Sequence, residues 1–253
     1  MFALEFPPIN ELIRWKDAYG SLNKVGIVAI LAALIGITIF LLAGRKDPMV
    51  APTGVRNLAE TGVEFIEDQI VMQTIGEDGL GWTPFLLTMF VFIYLCNLPG
   101  IIPILQFPAT ARMALPLFLA VVVWLVYNSV GFRHHGFGYL KNSLFPPGVP
   151  KAMYLLVTPI EFISTFIVRP FSLAIRLFAN MLAGHMLLVT FALLSNAMLF
   201  AETNKWLLKP MTILPMFMLL FLTAFEVLVG FLQAFIFTIL TGVYIGQAKH
   251  PAH

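Results

Sequence analysis

Residues 169–185 read RPFSLAIRLFANMLAGH: two arginines and a histidine in a stretch that is otherwise apolar or small. Inside a bilayer each such charge costs about 2.5–3.5 kcal/mol at the centre of a helix, so it calls for a structural or a chemical reason. Which solvent surrounds the stretch is decided by the rest of the chain.

The 253 residues are 59% hydrophobic and 11% charged, with a mean hydropathy of +0.90. Soluble domains run at about 45–50% apolar and about 25% charged residues. The chain is therefore an all-α polytopic membrane protein. A net charge of +2 is too mild for nucleic acid, and no basic cluster alternates with aromatics as a single-strand binder requires. The single cysteine, Cys96, cannot form an intramolecular disulfide and reads as packing. The N-terminus, MFALEFPPINELIRW, lacks the basic start and small-residue cleavage site of a signal peptide, so it is expected to be retained.

Outward from the central stretch, residues 159–200 carry no convincing stop. As a helix they would extend about 63 Å, twice the hydrocarbon thickness, so this element must tilt, kink or lie partly along the membrane. Thr158, Pro159 and Glu161 fit the N-cap, first and third positions of a helix start. This gives Glu161 a structural reading beside a transport one. Pro170 removes a backbone bond just before the central section. After a polar link, a second long element runs over residues 209–246, with Glu226 and Gln233 seven apart and hence on one face.

Arg169, Ser172, Arg176 and Asn180 are spaced three, four and four, which places them on one stripe of the first long helix. Ala174, Ala179, Ala183 and Gly184 among them allow close approach of a neighbour. His185, nine residues past Arg176, points to nearly the opposite side. Two readings fit this set. A buried salt bridge from Arg176 or Arg169 to Glu226 would only fix helix packing, whereas His185 with Glu226 supplies the imidazole and carboxylate of a proton relay.

Three shorter spans precede the pair. Residues 25–43 are an uncharged run of spanning length. Residues 83–105 open with Thr83 as N-cap and Pro84 at the first helical position, and are broken at the far end by Asn97, Pro99, Gly100 and Pro103. Asn97 there is either a packing hydrogen bonder or a functional group. Residues 113–132 form the third span, with Asn128 and Ser129 as helix-packing groups. Residues 53–75 alternate apolar and acidic positions at helical spacing and predict an amphipathic helix on the membrane surface, touching a partner or the chain's own loops. Residues 1–24, 133–158 and 247–253 are the N-terminal segment, an intervening loop with surface segment, and a tail. His134 and His135 have no third ligand at metal spacing, so no metal site is expected.

SLAIRLFANMLAGH at 172–185 and LQAFIFTILTGVYI at 232–245 resemble the two signature helices of subunit a of the rotary, F-type ATP synthase membrane sector. NLPGIIP at 97–103, HGFGYLKNSLFPPGVP at 135–150 and PIEFIS at 159–164 extend the resemblance over most of the chain.

The resemblance implies five membrane-embedded helical elements plus a surface helix, the last two elements forming a long tilted hairpin against a ring of c subunits, with b-type stalk subunits as further partners. It implies no cofactor. Arg176 matches the essential arginine, Asn180 and Gln233 its polar neighbours, and His185 and Glu226 the outer proton half-channel. Ser172, Glu161 and Arg169 match positions toward the inner one. Bacterial members often carry Glu and His in the opposite order, and the Glu161–Arg176 spacing is one residue longer than in members of the family. The implied location is a bacterial plasma membrane, N-terminus outside and C-terminus cytoplasmic. Lys plus Arg is seven on the implied inner segments against six outside, so charge counting barely distinguishes the two orientations.

Two other functions are weighed by what they require. A self-contained proton-coupled carrier needs an internal repeat, and none is visible in five unequal elements. An intramembrane metallohydrolase needs clustered ligands such as H-E-x-x-H, which His185 lacks.

Overall fold

Lys24–Ala43 forms the first helix, α1, as its run of apolar residues dictates. The computed structural model describes residues 24–44, 53–102, 108–136, 138, 139, 144, 153–199 and 212–249. The N-terminal segment before Lys24, the link at 200–211 and the tail after Lys249 lie outside the described residues.

Helix α2, Val55–Ile66, continues through a π turn at Glu67–Val71 to Met72–Thr74. It buries Ala59, Ile66, Ile70, Val71 and Ile75, leaving Glu64 and Asp68 exposed. Among the described residues its buried face meets membrane helices of its own chain. The Phe65 ring lies 5.8 Å from Phe90, 6.1 Å from Phe231 and 5.8 Å from Phe235. A 3-10 stretch, Glu77–Trp82, leads into α3, Thr83–Asn97. Pro84, expected at the first helical position, is the second, because Thr83 does not cap. Thr83 is the first helical residue, and its buried hydroxyl has no hydrogen-bond partner among the described residues. Short 3-10 turns at Leu98–Gly100 and Ala109–Ala111 follow the Pro-Gly break.

Helix α4 spans Ala114–His135 and stops at Gly136, whose φ of 54° only glycine adopts without strain. His135 Nε2 donates to the Lys249 carbonyl at 3.1 Å, and His134 Nδ1 to the Val130 carbonyl at 3.0 Å. Each imidazole therefore serves a helix end.

The expected helix start at Thr158 is corrected. Helix α5 is Tyr154–Ile163, with Pro159 inside it and no side-chain cap. The sequence upstream of Thr158 is as apolar as that downstream, so winding begins a turn earlier and the capping explanation of Glu161 falls away. A π turn, Ser164–Val168, joins α5 to α6, Arg169–Leu199. The last helix, α7, is Ile213–Lys249.

The described chain has five stretches long and apolar enough to cross a membrane. Tyr154–Leu199 has 46 residues and Ile213–Lys249 has 37. At 1.5 Å per residue these are about 69 and about 56 Å against a hydrocarbon core of about 30 Å, so the terminal hairpin is tilted. Leu34, Leu41, Phe118, Leu155, Leu156, Leu220 and Phe221 are all exposed. A surface so apolar is stable only against lipid or another apolar helix.

Helix α7 is the hub, packing on α3, α4 and α6. At its C-terminal end a Cβ on Gly246 would collide with the Thr74 carbonyl, and one on Gly242 with the Thr74 hydroxyl, so two glycines let α2 dock. Lys249 Nζ closes this end, 3.1 Å from the Asp78 carbonyl and 3.5 Å from its carboxylate.

Candidate functional site

Helices α6 and α7 carry the polar groups that apolar packing does not account for. On α6, Ser172, Arg176, Ala179 and Ala183 are exposed along one line, while Leu173, Leu177, Met181 and His185 are buried. Arg176 and His185 thus face opposite ways, as nine-residue spacing requires. Arg176 makes no ion pair among the described residues, where the pairs are Arg56–Glu60 and Lys249–Asp78.

A cavity of about 280 Å³ opens between α6 and α7. Asn180, Ala183 and Gly184 line it from α6, and Glu226, Val229 and Gln233 from α7. Glu226 is 4% exposed and Gln233 6%. Neither carboxylate oxygen of Glu226 accepts a hydrogen bond among the described residues. A buried carboxylate without donors is costly, so it needs a proton of its own or a water in the cavity. The Glu226 side chain is accommodated because residue 184 is glycine: an added Cβ would lie 3.3 Å from Oε1. His185, the next residue, is 6% exposed and sits outside the cavity lining.

The stripe expected from Arg169 to Asn180 divides. Ser172 and Arg176 stay exposed, and Asn180 turns half-buried into the cavity. Arg169 leaves the stripe altogether. Its Nη1 donates to Gln247 Oε1 at 3.1 Å, and its guanidinium lies 5.6 Å from the centre of the Tyr244 ring. A long side chain can carry its charge round the helix to a better partner. A packing salt bridge from either arginine to Glu226 is not formed. Glu161 lies on α5, half-buried, on the far side of the π turn from Arg176.

Two long-range hydrogen bonds complete the surroundings of the site, and the first shows Asn97 as a packing hydrogen bonder, one of its two expected readings. Asn97, 3% exposed, donates from Nδ2 to the Gly230 carbonyl at 3.2 Å and accepts from the Thr110 hydroxyl. This brace ties α3 to α7 between Glu226 and Gln233. The polar Asn before Pro-Gly was its signal; its partner, a backbone carbonyl 133 residues away, has none. The Tyr127 hydroxyl donates to the Thr165 carbonyl at 3.0 Å, a contact no local pattern announces. Among the described residues no three His, Cys, Asp or Glu side chains come together as metal ligands.

Fold and site together define a multi-pass α-helical membrane protein whose long terminal hairpin holds a bare arginine on one face and a buried carboxylate and imidazole behind it. The model of the ATP synthase A chain family matches residues 26–246. ATP synthase subunit a of Frankia alni is 45% identical over 238 residues, 92% of this chain and 79% of the relative. That of Acidiphilium cryptum is 40% identical over 98% of this chain and 90% of its own length. That of Rhodococcus erythropolis is 39% identical over 90% and 83%. The chain belongs to the ATP synthase subunit a family.

Between Glu161 and Arg176 the chain passes through the π turn at Ser164–Val168. A π turn takes up one residue more than an α turn.

Proposed function

We propose that this chain is the stator subunit of the membrane sector of a bacterial ATP synthase, and that it conducts protons to and from a ring of c subunits through two offset half-channels. It has no catalytic activity alone. The N-terminus lies outside and the C-terminus in the cytoplasm, b-type stalk subunits hold the chain still, and proton flow drives ring rotation and ATP synthesis.

What carries this reading is the placement of Arg176. A guanidinium exposed on an apolar helix, with no counter-charge among the described residues, is expensive unless a partner supplies one. A carboxylate on a neighbouring subunit, moving past Ser172, Arg176, Ala179 and Ala183, is such a partner. The small side chains let it come close.

A proton entering from outside passes by His185 and Glu226, with Asn180 and Gln233 as hydrogen-bonding neighbours, to a ring carboxylate. The protonated carboxylate is neutral and can face lipid, so the ring turns. Another carboxylate then reaches the inner side, where Ser172 and Glu161 line the exit, and loses its proton there. Arg176 attracts the ionised form and cannot relay a proton itself, because a guanidinium keeps its proton in proteins. It therefore favours release and blocks a direct leak between the two routes. Arg169, held by Gln247 and Tyr244, anchors the inner end.

Isolation in mild detergent tests the assignment. The chain is expected to come away with a c ring and stalk subunits in a complex that pumps protons on ATP hydrolysis when reconstituted. A monodisperse chain that transports a solute alone would replace this reading with that of a proton-coupled carrier.

A further inference from the structure

The π turn before Pro170 has no part in the proton path just described, yet a side chain from outside the hairpin holds it. The Arg169 N–H bonds to the Ser164 carbonyl, five residues back. Pro170 has no N–H to offer the Phe166 carbonyl, so the α pattern cannot run through this turn unchanged. Single π turns inside α-helices are uncommon and cluster at functional sites.

The effect of the turn is visible on the helix surface. Exposed residues come as Leu155 and Leu156, Pro159 and Ile160, Phe162 and Ile163, then Ile167 and Val168, Phe171 and Ser172, Ile175 and Arg176. Each step is three or four residues except the one across the π turn, which is five. The added residue keeps the exposed face in line. In an unbroken α-helix the two sides of the turn would be swung about 100° relative to one another. Arg176 would then not share a face with Leu155 to Ile163.

Tyr127 of α4 supplies the hold. Its hydroxyl donates to the Thr165 carbonyl inside the turn, and both residues are 2% exposed. Its ring lies 5.7 Å from that of Tyr244 on α7, the ring that the Arg169 guanidinium covers. One tyrosine is therefore fixed to the π turn and to the other helix of the hairpin at once.

We propose that Tyr127 is a positioning residue for Arg176: its hydroxyl pins the π turn and so sets the direction in which Arg176 leaves the helix. This rests on the role given to Arg176 above. The fixed element is the backbone at Ser164–Val168, and Tyr127 itself need not exchange a proton.

The test uses the whole complex in inverted membrane vesicles, with Tyr127→Phe, Arg176→Ala and a variant carrying 4-aminophenylalanine at 127, which keeps an N–H donor on the same ring. Pumping is read together with backbone hydrogen exchange over residues 164–169. Tyr127→Phe is expected to pump at no more than a third of the wild-type rate at normal complex abundance, with exchange in that segment at least ten-fold faster. The amino variant is expected to restore both. Wild-type pumping by Tyr127→Phe, or reduced pumping with unchanged exchange, would overturn the proposal. If Tyr127→Phe does not assemble, the amino variant decides: assembly with wild-type pumping supports the role of the donor, and failure like that of Phe removes it. Arg176→Ala separates the two levels. If it pumps, the reading of the site fails; if it does not while Tyr127→Phe pumps normally, only the positioning role falls.

Discussion

The Glu226 carboxylate rests against Gly184, so that a Cβ at position 184 would lie 3.3 Å from Glu226 Oε1. The residue that precedes the buried imidazole in sequence is thus the one that makes room for the buried carboxylate. Filling that space acts on the cavity before it acts on the fold. Gly184→Ala asks the carboxylate to give by a few tenths of an ångström and is expected to cost less than two-fold in ATP-driven pumping. Gly184→Val, which adds two more methyl groups toward the cavity, is expected to cut pumping at least ten-fold while the complex still assembles. Vesicle pumping normalised to complex abundance checks both.

Glu226 stands where a carboxylate costs stability. Its carboxylate is buried and accepts no hydrogen bond among the described residues. Such a group destabilises by several kcal/mol unless neutralised or hydrated. Glu226→Leu is therefore expected to leave the melting temperature of the solubilised complex unchanged or higher while reducing pumping at least ten-fold. A lower melting temperature with full pumping would show that Glu226 serves packing instead.

The Asn97 brace predicts the reverse balance. Asn97→Ala removes the donor to the Gly230 carbonyl and leaves the fully buried Thr110 hydroxyl without its acceptor. Leaving a buried polar group unsatisfied costs about 1–3 kcal/mol. The complex is expected to be less abundant and to melt earlier. Asn97→Asp, which keeps the acceptor for Thr110 but not the donor, should recover part of the loss.

At the C-terminal end of α7, Gly246→Ala places a methyl group against the Thr74 carbonyl. Overpacking of this kind costs about 1–3 kcal/mol, because backbone on one side must move. Limited proteolysis of vesicles is expected to cut the 53–75 segment faster in the variant than in wild type. Equal rates would mean that α2 is held by its Phe65 cluster alone.

Much of this was legible in the residues, and what was not has physical reasons. The long hairpin followed from two apolar runs too long for a bilayer, and the opposition of Arg176 and His185 from their nine-residue spacing. The Thr158-Pro159-x-Glu161 pattern misled because a capping signature is local, whereas the helix begins wherever apolar winding is first favourable, here at Tyr154. Helical spacing puts Arg169 on the Arg176 stripe, but its charge reaches Gln247 and Tyr244, partners 78 and 75 residues away that no spacing marks. The Asn97–Gly230 and Tyr127–Thr165 contacts are long-range bonds to backbone carbonyls, which every residue owns and no sequence pattern marks.

The central claim is that an exposed Arg176 stands between two proton routes, and one substitution tests it most directly. ATP-driven acidification of inverted vesicles is measured for Arg176→Ala and Arg176→Lys beside wild type, at matched complex abundance. The account predicts no pumping for Arg176→Ala and at most a small fraction for Arg176→Lys, whose compact ammonium can lose its proton in an apolar setting. Coupled pumping at the wild-type rate by either variant would contradict it.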